Sequence, residues 1–163
     1  MTKNEITIDT NVFEHLFHPP NNVGDHIDIL LRYLVKERVV LCLDKKGRIF
    51  GEYSHRLAPI LRRLDETEKL SLLRYFILFA QRRLEPVDFG DALMVAIEGV
   101  IRFAEPSDHV FVYVAIASDS ILVSNNLRHI TGHRNRLKRC ATRHGSETTD
   151  FANSSDALAA LGG

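Results

Sequence analysis

Only two of the 163 residues are cysteine, and neither Cys42 nor Cys140 belongs to a Cys-x-x-Cys pair or a Cys/His cluster. That argues against a zinc knuckle and a disulfide-stapled secreted framework, and it fits a reducing cytoplasm. A charge excess is also lacking: 21 Lys plus Arg balance 21 Asp plus Glu. No global field draws the chain to nucleic acid or an anionic membrane, so electrostatic recognition has to be local. The longest unbroken apolar run, 110–117, is about half of what a bilayer-spanning helix requires. The polar opening, 1–5, lacks the apolar core of a signal peptide. The expectation is therefore a cytoplasmic chain without membrane contact. No internal repeat, low-complexity tract or long linker divides it. With 45% hydrophobic and 26% charged residues, it reads as a single domain over 1–163. A domain of that size buries roughly two thirds of the surface its unfolded form exposes.

Glu5-Ile-Thr-Ile alternates and is β-branched, as in a short strand, and it stops at Asp9-Thr10-Asn11, residues that favour turns and helix caps. After the breaker Pro-Pro-Asn-Asn-Val-Gly, the spacing of Ile27, Leu30, Leu31 and Leu34 predicts a helix over 25–37. The continuous apolar run 39–43 suits a strand covered on both faces, and it ends in Asp44. Lys45-Lys46-Gly47 turns the chain into a helix over 49–64 that Pro59 should bend or divide. Asp65, with Glu68 three residues on, predicts the cap of a helix running through 84, whose basic end Arg82-Arg83 suits the helix dipole.

Further helices are predicted over 89–103 and, capped by Ser107, over 108–117. A strand over 121–123 ends in Ser124-Asn125-Asn126, and 145–163 supplies a last strand (147–151) and helix (154–161) or a partly frayed tail. Strands alternating with helices point to an α/β fold with a mostly parallel sheet. A homodimer is expected, with the dense apolar residues of 70–84 and 89–103 contributing its face, although core packing explains the same residues.

In open parallel sheets ligands bind beyond the carboxyl ends of the strands. Here Asp9, Asp44 and Ser124-Asn125-Asn126 fall at such ends, and the helix-borne Glu52 and Asp108 can be aimed at the same edge. Clustered carboxylates raise one another's pKa unless a cation offsets them, and hard oxygen ligands select Mg2+ or Mn2+ over zinc. Each residue also has a plainer use: Asp9 as a cap, Glu52 as an exposed helix residue, Asp108 as the complement of a helix N-terminus, Asp44 as a turn former. No histidine pair has convincing metal-ligand spacing, because Gly132 interrupts His129 and His133.

Four blocks, Ile6-Thr-Ile-Asp9-Thr10-Asn11-Val12, Gly47-Arg-Ile-Phe-Gly-Glu52-Tyr53, Asp108-His-Val-Phe-Val-Tyr-Val-Ala115 and Ile121-Leu-Val-Ser124-Asn125-Asn126, resemble in order those of the PIN-domain nucleases. The resemblance implies a three-layer α/β/α sandwich. It also implies an endoribonuclease in which Asp9, Glu52 and Asp108 hold Mg2+ or Mn2+, and a toxin kept in check by a small antitoxin protein. Asn126 stands where the family usually has a fourth acid; its amide oxygen can still ligate an ion, but it adds no charge. Thr10, Asn11, Asp44, Ser124 and Asn125 surround these ligands. The alternative is a PIN-like RNA-binding or regulatory module with weakened catalysis. A phospho-receiver or aspartate-nucleophile phosphatase fits poorly, since Asp9-Thr-Asn11 lacks an acid two residues on. The acid-free segment 127–144 offers Arg128, Arg134, Arg136, Lys138 and Arg139 to an RNA backbone, or forms a solvated basic face.

Overall fold

The computed structural model describes residues 4–17, 23–62, 67–84, 90–102 and 104–162. Five short strands, β1 (Glu5–Ile8), β2 (Val40–Asp44), β3 (Gln81–Leu84), β4 (Ile121–Val123) and β5 (Asp150–Ala152), form one parallel sheet in the order 3-2-1-4-5. Around it lie α1 (Thr10–Phe17), α2 (Val23–Lys36), α3 (Arg48–Leu61), α4 (Glu68–Phe79), α5 (Gly90–Ile101), α6 (Pro106–Ala117), α7 (Arg134–Arg143) and the single turn α8 (Ala157–Ala160). The chain steps outward from β1 to β3, then returns past β1 to β4 and β5. Each parallel step is a crossover that carries its helices past the sheet. The result is consistent with a three-layer α/β/α sandwich, and the winding direction reverses between β1 and β4.

Burial of Ile6, Thr7 and Ile8 shows β1 covered on both faces, as a central parallel strand must be. Helix α6 packs on β1, β2 and β4 and also meets α3. Below the end of β1, Tyr53 of α3 meets Phe13 of α1 edge-on at 5.2 Å and Phe111 of α6 at 6.3 Å, and its hydroxyl donates to the Ile8 carbonyl. This buried aromatic key fixes the helices that carry the candidate acids to the strand that ends in Asp9.

Several expectations are corrected. Gln81–Leu84 is strand β3, not the end of a helix, so Arg82 and Arg83 lie in an edge strand rather than at a helix C-terminus. Helix α4 starts at Glu68 with Thr67 as its cap, the hydroxyl accepting from Leu70 N at 3.2 Å; the expected cap Asp65 lies outside the described residues. An additional helix, α1, occupies 10–17. Pro59 does not divide α3, which runs unbroken from Arg48 to Leu61; Pro59 and His55, whose carbonyl receives no helical N–H from it, are exposed to water near the helix end. Residue 64, Phe89, Phe103 and the Pro-Pro-Asn-Asn of the breaker lie outside the described residues. Pro106 takes the first position of α6, so Ser107 lies inside the helix and does not cap it. At the end of the chain, β5 is 150–152 and α8 starts at Ala157 without a serine cap.

Leu78 and Phe79 of α4 and Met94 and Val95 of α5 are exposed. Among the described residues no helix is long and apolar enough to cross a membrane.

At the amino edge of the sheet, Asp119 adopts φ 52° and ties the turn before β4 to the loop before β5. Its carboxylate accepts from Ser146 Oγ at 2.6 Å, Thr148 N at 2.9 Å and Thr149 Oγ1 at 3.1 Å. Burial opposes its ionisation, but these bonds outweigh it and hold the pKa at about 2. A depressed carboxyl contributes stability above its unfolded pKa and loses it as pH falls through the folded value. Asp119→Ala is expected to lower the unfolding free energy by about 1 to 2 kcal/mol at pH 7, the charge contribution being reduced by partial exposure. Urea unfolding should show the gap between wild type and variant closing as pH drops from 4 towards 2.

Candidate functional site

The candidate site is the carboxyl edge where β1 and β4 run on into their following segments, the place where open parallel sheets form their binding crevice. Asp9 N still pairs with the Val123 carbonyl at 2.9 Å, and the Asp9 carbonyl already accepts from Val12 N at 3.0 Å, so Asp9 is the last residue of the ladder and the cap of α1. Its plain role as a cap is therefore present, through a long 3.4 Å approach of Asn11 N to Oδ1. The other oxygen, Oδ2, accepts from Ser124 Oγ at 2.7 Å and Asn11 Nδ2 at 3.0 Å. Asp9 is 2% exposed. Burial, with the neighbouring Asp108 and Glu52 charges adding to it, pushes its pKa up to about 6 against the pull of Ser124 and Asn11.

Asp108 sits in the first turn of α6, whose chain direction returns that end to the carboxyl edge of the sheet. Burial and the Glu52 charge raise its pKa, while His129 and His109 oppose the shift. Glu52, one turn into α3, accepts from Thr10 Oγ1 at 2.7 Å and from Arg56 Nη1 at 3.3 Å. Arg56 in turn forks onto Glu14 at 2.8 and 2.6 Å. The three acids thus share one electrostatic environment, each restrained by bonds of its own. Among the described residues no group of three or more His, Cys, Asp or Glu side chains is arranged to hold a metal ion as it stands. In donor type the set does fit a hard divalent ion: the three groups are carboxylates, and two of them carry charge that burial and their neighbours make unfavourable.

Backbone donors fix the amide orientations around the crevice. Asn126 Oδ1 accepts from His129 N at 3.1 Å, so its Nδ2 is the atom facing Asp108 Oδ2 at 3.2 Å. Asn126 therefore offers the acid cluster a donor, while its oxygen is occupied by the loop. That loop closes tightly: a side chain at Gly132 would meet the Leu127 carbonyl oxygen at 2.2 Å. Asn11 Oδ1 accepts from Asn125 N at 3.1 Å, which turns Asn11 Nδ2 to Asp9. Asp44 is 1% exposed and spends both oxygens on Arg48 N at 3.0 Å and Ile49 N at 2.8 Å, capping α3.

The expected basic residues divide. Arg134 forks onto Asp150 at 2.7 and 2.6 Å, and Lys138 reaches the same carboxylate at 3.4 Å. Arg128, Arg136 and Arg139 are exposed and pair with no acid among the described residues. Three participants escaped sequence reasoning: His15, Glu14 and Arg56. The available signal was helical spacing, since His15 follows Asn11 by four residues and Arg56 follows Glu52 by four. Compared with known proteins, the chain finds no matching family model and no matching curated protein. Its own architecture is an α/β fold with a five-stranded parallel sheet, and hydrogen-bonded polar residues gather where the winding reverses.

Proposed function

We propose that the protein is a divalent-metal-dependent endoribonuclease of the PIN-like kind. The observation that carries this reading is Asp9, a buried carboxylate at the reversal point whose ionisation is disfavoured by burial and by two other acids from distant parts of the chain. Asp9, Glu52 and Asp108 would hold Mg2+ or Mn2+, which when bound supplies water activation and stabilises charge on the leaving oxygen. Ser124 and Asn11 fix the Asp9 carboxylate, Thr10 fixes Glu52, and Asn126 steadies Asp108 by donating to it. Arg128, Arg136 and Arg139 bind the RNA backbone. The resemblance in sequence supports a toxin with a small antitoxin partner, and the exposed apolar residues of α4 and α5 support self-association.

The second reading, a PIN-like RNA-binding module without efficient catalysis, is favoured by the amide nitrogen that Asn126 turns to the acids. Labelled single-stranded RNA and DNA, incubated with Mg2+ or Mn2+ or with EDTA, separate the two. Cleavage of RNA only with the ion, lost in Asp9→Asn, is the result for a nuclease; binding without cleavage is the result for the module.

The arginines give a separate expectation. Replacing Arg128, Arg136 and Arg139 together by Ala should flatten the plot of log affinity against log salt by about 0.7 for each phosphate that the variant no longer neutralises. Arg134→Ala, which breaks the pair with Asp150, should lower stability and leave the salt slope nearly unchanged. Fluorescence anisotropy across a salt series measures both, and equal slopes for wild type and the triple variant would exclude this surface as the RNA path.

A further inference from the structure

Asn125 joins three segments at the rim of the crevice. Its Oδ1 accepts from Ser154 N at 3.0 Å and Ser154 Oγ at 2.8 Å, and its Nδ2 lies 3.1 Å from His15 Nδ1. A backbone N–H only donates, so the atom facing Ser154 is the oxygen and the atom facing His15 is the amide nitrogen. His15 Nδ1 must then bring a lone pair, which places the ring proton on Nε2. Burial lowers the pKa of His15, helped by Arg56 and opposed by Glu14, and this agrees with a neutral ring. His15 lies one helical turn beyond Asn11 on the same face of α1, and Asn11 holds Asp9. The ring is half-buried, and no bond from Nε2 occurs among the described residues. A neutral donor in fixed orientation, one helical turn from the residue that holds Asp9, suits an anionic ligand: unlike a cationic side chain, it is not drawn onto the acids.

We propose that His15 is a substrate-binding residue, its Nε2–H donating to a non-bridging phosphate oxygen of the RNA strand beside the acid cluster, with Asn125 and Ser154 holding the required tautomer. The inference rests on the nuclease reading for its ligand. Its test needs no catalysis: binding of a labelled single-stranded RNA by the full chain is followed by anisotropy in EDTA. His15→Gln keeps an N–H at the ring's Nε2 position and should bind within about twofold of wild type. His15→Asn keeps an acceptor for Asn125 but has no donor at that position, and should weaken binding about five- to tenfold. Long-range proton–nitrogen correlation of the ring should show the Nε2–H form in wild type, and Asn125→Asp should move the proton to Nδ1. Wild-type affinity in His15→Asn, or an Nδ1–H ring in the wild type, overturns the proposal and leaves the nuclease reading standing. Failure of the wild type to bind or cleave RNA overturns both.

Discussion

In EDTA at pH 8, Asp9→Asn is expected to unfold at a higher urea concentration than the wild type and, on the proposed nuclease reading, to lose RNA cleavage when Mg2+ or Mn2+ is supplied. Burial pushes the folded pKa up to about 6 from an ordinary 3.8. At 1.36 kcal/mol per unit, the ionised carboxylate costs the folded state roughly 3 kcal/mol. For an acid whose folded pKa is raised, the cost is absent below the unfolded pKa, grows as pH rises through the folded value, and is complete above it. Wild-type stability should therefore fall between about pH 4 and pH 7, with other groups superimposed, while the Asp9→Asn curve lacks that component.

The net gain from the variant should be about 1 to 2 kcal/mol. An amide keeps one acceptor for Ser124 and Asn11 but places a donor near Asn11 N. Added divalent ion should raise the melting temperature of the wild type and leave that of the variant nearly unmoved. A constant stability difference between pH 4.5 and pH 8 would show that the Asp9 charge is not under strain.

The second large effect is expected from Asn126→Asp. One carboxylate oxygen can still accept from His129 N, but the other replaces the amide nitrogen that now donates to Asp108 at 3.2 Å. Two carboxylates at that separation either share a proton or attract a cation. Without divalent ion the variant should lose about 1 to 3 kcal/mol at pH 8 and recover part of it as pH falls. With divalent ion the loss should reverse, apparent metal affinity should rise tenfold or more, and RNA cleavage should increase. Calorimetric titration with Mn2+ and urea unfolding at two pH values measure both sides. An unchanged titration would place residue 126 outside the ion's reach.

Local chemistry makes much of this fold legible along the chain. The β-branched run of β1, the apolar run of β2 and the three-residue β4 are visible because each is buried on both faces, which leaves an unmistakable hydrophobic pattern. Strand β3 is not legible: Gln-Arg-Arg-Leu has no strand pattern, and only its pairing with β2 makes it one. Helix α1 is hidden because Asp9-Thr10-Asn11 reads equally as the stop of a strand or the start of a helix, and it is both.

At the site, the positions of Asp9, Glu52 and Asp108 can be read, since crossover topology dictates which ends of helices and strands share an edge. Their restraints cannot be. That Asn126 faces Asp108 with nitrogen, that Asp44 is absorbed by a helix cap, and that Arg134 and Lys138 are absorbed by Asp150 all depend on neighbours or orientations that spacing along the chain does not encode.

The central place of β1 sets when the crevice can exist during synthesis. Residues 5–8 leave the ribosome before either neighbouring strand and can pair with β2 once Val40–Asp44 has emerged, but their other partner is Ile121–Val123, and the Asn125 hub closes only on Ser154. Such long-range closure makes assembly late and comparatively slow. A nascent chain halted before residue 154 carries Asp9, Glu52 and Asp108 without the Asn125–Ser154 closure, so on the proposed reading any action on RNA is withheld until translation has passed that point.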